Sequence, residues 1–391
     1  VKKLLKHKSI VIATLLALII LVIQLTTVQQ PAHATTLDGF PVFQYQGIAI
    51  DPEDLNYNPT DEIIFPSIIK ASDYFSDPLA AYYLYYAPHD KPGGINLAYS
   101  DSLDGPWTEY AHNPIISNDW APYYAVSHVS GPHAIWIENK EELYLYFHGE
   151  NSVTRLARSI DGIEFTYDSS VVSNEDFDDI TEASYARVFE YTIPSKNNKY
   201  IMLLMGNHGG SRKIYLAWSN DGKAWTTRRE PLISPAADEG GNIAGPYFYP
   251  WNGKNYVIHH NSDGTLYITE VGANFDQEMH LGIFYQDPDG TRAASPYFFS
   301  EGDVQYLFHV RGSRSYTNIA FAKYDPNAPI PVNLPGETSP NPVQAGLLLS
   351  TILIASLLGG KQAFNIVRSP KITSIMPAIR LNDRVGSLIS G

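Results

Sequence analysis

Between residues 40 and 325, apolar side chains alternate with polar ones in short runs that stop at Gly, Pro, Asn or Asp. A period of two marks half-buried β-strands rather than helices. The runs recur as a unit. "IFPSIIKA" from Ile64, "SGPHAIWIE" from Ser130, "ASYARVFEY" from Ala183, "IAGPYFYPW" from Ile243 and "AASPYFFSE" from Ala293 align as first strands. "AYYLYYAPH", "LYLYFH", "YIMLLMGNH", "NYVIHH" and "VQYLFH" follow as second strands, and "INLAYS", "TRLARS", "IYLAWS", "TLYITE" and "TNIAFA" as third. The markers Pro66, Pro132, Tyr185, Pro246 and Pro296 lie 66, 53, 61 and 50 residues apart. That spacing suits a small sheet of three or four strands with tight turns. Five such sheets repeated radially make a five-bladed β-propeller, an all-β fold spanning 40–325. Asp104, Asp161 and Asp221 each precede Gly between strands and are expected to form turns.

The flanks differ. Lys2, Lys3, Lys6 and Lys8, an apolar run from Ile10 to Ile23 and "AHA" at Ala32 to Ala34 predict a signal peptide or N-terminal membrane anchor over 1–34. The body of the protein is then extracytoplasmic, secreted or membrane-anchored. A Pro-rich linker is expected over 326–342, and an apolar then basic tail over 343–391, both outside the fold.

Composition narrows the chemistry. The 391 residues include 27 Tyr, no Cys and a formal net charge of −14. A nucleic-acid partner is disfavoured by that charge, and thiol chemistry and Cys-based zinc sites are excluded. A neutral sugar is compatible. No phosphate loop, helical zinc pair or Gly-x-Ser-x-Gly elbow is present. No cofactor is expected; a structural calcium ion in the channel remains conceivable without any motif for it.

In a propeller the innermost strand lines the channel and the next runs antiparallel, so first-strand starts and second-strand ends share one face. Every second strand ends near a histidine: His89, His148, His208, His259-His260 and His309. Asp61, Glu62, His128, His133, Glu182, Asn242, Asp287, Asp289 and Arg292 lie near first-strand starts, and Glu150, Asn151, Asn207 and Arg311 near second-strand ends. A histidine repeated fivefold can be architectural, bonding the neighbouring blade. Polar groups that differ between blades are better candidates for function. Glu182, and one of Asp61 and Glu62, are the catalytic candidates. Arg155 and Arg187 lie within strands that read as buried, and should pair with a carboxylate or hold substrate.

The "FPS", "GPHAIW" and "SYARVF" strands, with "YLYFHG", "LARSIDGIEF", "LAWSNDGKAW" and the "HGENSVTR" loop, resemble the five-bladed propeller glycoside hydrolases: family 43 and relatives such as the family 117 anhydro-galactosidases. The resemblance implies hydrolysis of an oligo- or polysaccharide with inversion, by two groups about 6.5–9.5 Å apart. Family 43 carries an Asp before the blade-one Pro, an Asp after the blade-two Pro and a Glu in blade three. This chain has Phe65, His133 and, near the third position, Glu182. The implied assignment is Glu62 or Asp61 as base and Glu182 as acid, with His133 or His148 tuning the acid or replacing it. Glu150, Arg155, Arg187, Asn207, His208, His260, Arg292 and Arg311 would bind sugar, with Trp136 and tyrosines as stacking surfaces. The expected partner is a carbohydrate, with no nucleic acid, membrane contact only through the terminal segments, and a monomeric state. The alternatives are a carbohydrate-binding propeller without catalysis, which Phe65 favours, and an interaction propeller.

Overall fold

A computed structural model describes residues 37–314 and 316–327. The expected signal or anchor segment, the tail, and all but the first two residues of the linker lie outside the described residues. Within them the chain forms five four-stranded antiparallel sheets and one short extra hairpin, a five-bladed β-propeller. Blade 1 comprises Ile63–Lys70, Tyr82–Pro88, Asn96–Ser100 and Thr108–Glu109; blade 2 comprises Val129–Ile137, Glu142–Gly149, Val153–Ser159 and Thr166–Ser173. Blade 3 comprises Ser184–Glu190, Tyr200–His208, Ser211–Ser219 and Thr226–Thr227; blade 4 comprises Ile243–Trp251, Lys254–Asn261, Leu266–Glu270 and Met279–Tyr285. Blade 5 takes Ala293–Glu301, Val304–Ser313 and Tyr316–Tyr324 from the end of the domain, and its outermost strand, Gln44–Ile50, from the beginning. That strand pairs antiparallel from Gln44↔Lys323 to Ile50↔Ile319 and closes the ring.

Burial follows the ring. Facing sheets trap five apolar clusters, one in each gap between blades. Tyr85, Leu97 and Leu145 represent the gap between blades 1 and 2; Leu84, Tyr297 and Phe308 represent the gap between blades 5 and 1. Tyrosine hydroxyls reinforce two gaps. Tyr85 donates to the Gly162 carbonyl (2.7 Å) and Tyr146 to that of Gly222 (2.6 Å). These acceptors belong to the Asp-Gly turns. In them Asp161 and Asp221 accept two following backbone N–H groups each, and Ser159 and Ser219 accept two more.

Each inner strand also carries a bulge at the same place. Phe65, Gly131, Tyr185, Gly245 and Ser295 all have positive φ (48–64°), and the pairing register shifts at each. The next residue is Pro66, Pro132, Ala186, Pro246 or Pro296. The third counterpart of the repeated proline is therefore Ala186 rather than Tyr185. A proline fits beside a bulge because no ladder hydrogen bond is lost there. In two blades the glycine at the bulge makes room for a histidine. A Cβ on Gly131 would lie 2.7 Å from His148 Nδ1, and one on Gly245 would lie 2.8 Å from His260 Nδ1. Gly245→Ala adds that clash to a left-handed backbone, and is expected to lower unfolding free energy by about 1–3 kcal/mol; denaturant titration measures it.

Candidate active site

The face predicted from topology holds a cavity of about 270 Å³. Its walls come from four blades: Glu62, Ile64 and His89 from blade 1, Tyr185, Met205 and Arg212 from blade 3, His260 and Asn261 from blade 4, and Arg292, Ser295 and Arg314 from blade 5. No blade 2 residue lines it.

Glu62 is its lining carboxylate. Strand pairing at the inner end of blade 1 leaves only 3% of the residue exposed. Arg314 Nε lies 3.2 Å from Oε1, and His89 Nδ1 lies 3.5 Å from Oε2. Burial raises the Glu62 carboxyl to about 6 although Arg314 opposes the rise; Asp90 adds to it and Arg292 opposes it. His89 goes the other way. Burial, then Arg314, lower it to about 4 against the pull of Asp90. Arg314 donates to His89 Nδ1 (3.0 Å), so the neutral ring carries its proton on Nε2, 3.2 Å from the Tyr185 hydroxyl. Across the pocket, Arg212 forms a two-pronged pair with Glu182, both contacts 3.0 Å. Glu182 thus stands behind the wall that Arg212 forms. Arg292 lines the cavity with its Nε buried and without a partner. Burial lowers its guanidinium, and Arg314 lowers it further.

The remaining expected site residues are placed elsewhere. Asp61 ties down a turn through Asn58 (2.7 Å) and is exposed. Glu150 and Arg155 pair with each other at 2.7 Å, with Arg155 also 5.0 Å from the Tyr124 ring. Asn207 accepts the Gly210 N–H within its hairpin, and His208 bonds the Asp179 carbonyl. Arg311 pairs with Asp287 at 2.8 Å and with Asp289. Trp136 is at the opposite end of the channel, stacked on Tyr74 (4.8 Å) and lining a second cavity. A nine-residue inner strand runs the length of the channel, so its two ends serve different faces.

The histidines that look alike in sequence occupy different registers. His148 pairs with Ser130 and His260 with Ala244. Each accepts at Nδ1 from the bulge residue of the next blade, Tyr185 N–H (3.4 Å) and Ser295 N–H (3.2 Å). These two are the architectural pair, and burial holds both well below the ordinary histidine value. His259, one residue earlier than His260, points to the other side of the sheet. There Glu239, His259 and His280 bring potential ligand atoms within 4.8 Å of one another; Glu62, His89 and Asp90 do so at the pocket rim.

The channel centre is filled. Arg187 is fully buried, its guanidinium 4.1 Å from the Phe65 ring, 5.1 Å from Tyr297 and 5.6 Å from Tyr247. It donates to the Pro66 carbonyl (3.1 Å) and faces His133 Nδ1 (3.4 Å). His133 in turn donates from Nε2 to the Val188 carbonyl (2.7 Å), and burial beside Arg187 lowers it to about 3. His133 is therefore a neutral packing partner of Arg187 and does not line the cavity.

Sequence reasoning missed Arg212, Arg314 and the roles of His89 and Tyr185. The strand pair Asn207↔Arg212 puts Arg212 at the same strand end as a residue that was singled out. Arg314 lies three residues past Arg311, at the hairpin tip. Following each hairpin to its return strand would have found both.

Solved structures share this architecture. BT0996, in a complex with RGII, matches with a TM-score of 0.57 and 15% identity, over 75% of this protein and 94% of the other. A glycoside hydrolase matches with 0.55 and 15%, over 75% and 95%. The α-L-arabinofuranosidase PaAbf62A from Podospora anserina, in complex with cellotriose, matches with 0.51 and 12%, over 73% and 98%. The fold is that of the propeller glycoside hydrolases. No family model matches the chain, and no curated protein matches it.

The raised Glu62 carboxyl has a thermodynamic consequence. Its folded value, about 6, exceeds the ordinary 4.5, so folding takes up a proton between the two. That stability is fully present below pH 4.5 and is lost as pH rises through 6. Relative to Glu62→Gln, the wild type is expected to gain on the order of 1–2 kcal/mol between pH 7 and pH 4.5; paired denaturant titrations at the two pH values measure it.

Proposed function

We propose that this propeller is a glycoside hydrolase acting on an oligo- or polysaccharide, with Glu62 as the proton donor and Glu182 as the residue that positions Arg212 in the cavity wall. The carrying observation is Glu62: a buried carboxyl with its value raised to about 6, the one carboxylate in a cavity lined by arginine, histidine, small polar and apolar groups. A carboxyl whose value burial raises toward neutrality, and which is protonated below about pH 6, suits protonation of a leaving glycosidic oxygen. This departs from the assignment implied by sequence resemblance, which made Glu62 or Asp61 the base and Glu182 the acid. Glu62 combines burial with a place on the cavity wall. Glu182 accepts two Arg212 contacts with both oxygens and so holds that guanidinium in the wall.

Each flanking group has a part. His89, neutral, donates to Tyr185 and accepts from Arg314. It thereby holds both side chains at the cavity mouth. Arg314 orients Glu62 and stabilises the carboxylate left after proton transfer. The Tyr185 ring, carried on a bulge, offers the sugar an apolar face. Neither Phe65 nor His133 replaces the acids of family 43; both pack against Arg187 instead. A carbohydrate-binding propeller is the second reading, favoured by that exchange at Phe65 and His133.

Sugar release from pentofuranosides, fructans, red-algal and uronate-containing oligosaccharides tests the reading. Glu62→Gln is expected to lose about 10²–10⁴-fold in kcat/KM while retaining binding. The wild-type profile should fall above about pH 6, where Glu62 ionises. Glu182→Gln should also lose turnover. Binding by all three proteins without release by any would support the binding-only reading.

A further inference from the structure

We propose that this pocket recognises a sugar bearing an anionic substituent, a carboxylate or a sulfate ester, and that Arg292 is its receptor. The inference rests on reading the cavity as a carbohydrate site and names the substrate class that reading leaves open.

Charge balance is the first argument. Arg212, Arg292 and Arg314 line the cavity. Glu182 answers Arg212, and Glu62 answers Arg314. Arg292 has no acid of its own: among the described residues its guanidinium has no ion pair and no hydrogen bond, and Glu62, the carboxylate that opposes the lowering of its value, is already engaged by Arg314. Asp90, beside His89, is largely exposed and does not line the cavity. His89 and His260 are both held neutral. Three guanidiniums therefore meet two carboxylates in a partly enclosed space. Protonation of Glu62 leaves the balance more positive still.

Arg292 is also built into place. Gly264, at φ +81°, lies directly behind its side chain; a Cβ there would fall 1.9 Å from Arg292 Cγ. The Gly264 carbonyl accepts the Ala293 N–H, and Gly312 donates to the Arg292 carbonyl (3.3 Å). A long cationic side chain has thus been confined and partly desolvated without being given an acceptor. Leaving a buried N–H unpaired is costly, and a charged oxygen acceptor removes the penalty. A carboxylate or sulfate accepts two guanidinium N–H groups on two of its oxygens at once, which a single hydroxyl does not match in strength.

Calorimetry on the full-length protein tests this directly, using galacturonate against galactose, glucuronate against glucose, and galactose 6-sulfate against galactose. The anionic member of a pair should bind at least about tenfold more tightly, and 0.5 M NaCl should weaken it alone. Preference for uronates only, or for the sulfate only, identifies the source of the charge and supports the proposal in either case. Arg292→Gln should reduce the anionic ligand to the level of its neutral partner, and Arg292→Lys should keep part of the preference. Gly264→Ala, which displaces Arg292 without altering its charge, should act like Arg292→Gln. Equal binding of charged and neutral members by the wild type overturns the proposal, whatever the variants do. Retained preference in a folded Arg292→Gln protein, or no binding of any of these sugars, does the same. The hydrolase reading fails separately: charge-selective binding without release from any anionic oligosaccharide refutes it alone. Efficient release from neutral oligosaccharides, with no preference for charge, refutes only the present proposal.

Discussion

A guanidinium with no carboxylate beside it fills the middle of this ring. Burying a charge is expensive unless something replaces its hydration. Arg187 relies on the faces of Phe65, Tyr247 and Tyr297 and on the Pro66 carbonyl. Cation–π contacts that are desolvated contribute about 2 kcal/mol or more, and three inner strands must hold their rings in place to supply them. This arrangement explains neighbouring identities. An aromatic ring stands at position 65 because a cation lies under it. His133 stays neutral because it is buried and its Nδ1 faces that same cation. With the axis filled, solvent-accessible chemistry is displaced to the rim, where Glu62, Tyr185 and three further arginines or their partners collect.

The rim is lopsided. Blade 2, whose second strand carries His148 at its end and leads into Glu150 and Asn151, gives nothing to the cavity wall. Its Glu150 pairs with Arg155, and the excursion carrying Trp120 and Tyr124 packs onto its outer rings, Phe147 and Tyr167. Arg155, held by Glu150, thus backs the Tyr124 ring of the insertion, while His148 ties blade 2 to blade 3. The cavity opens on the other side, where blades 3, 4, 5 and 1 meet.

The sequence made the scaffold readable because its signals are local and repeated: alternation along strands, Asp-Gly at hairpins, proline beside four of the five bulges. It also made the face readable, since antiparallel neighbours bring first-strand starts and second-strand ends together. What it concealed was register. His259 and His260 are adjacent letters on opposite sides of a sheet, and His309 sits one step out of line with His260. Trp136 is part of a channel strand, but at its far end. Arg311 and Arg314 are three residues apart, yet one is bound to Asp287 and the other reaches Glu62. Placing these side chains depends on bulges and hairpin tips, where one residue of offset turns a side chain around.

The strand Gln44–Ile50 closes blade 5 from the opposite end of the domain. Seen during synthesis, the chain holds its own clasp from the outset but has nothing to fasten it to. Blades 1 to 4 can each assemble as their hairpins leave the ribosome, whereas the fifth sheet waits for Tyr316–Tyr324. Until then the first-made strand is an unpaired edge. The pocket, which needs Arg292 and Arg314 from that last blade, is completed together with the ring. A nascent chain therefore closes this cavity in one late step rather than by degrees.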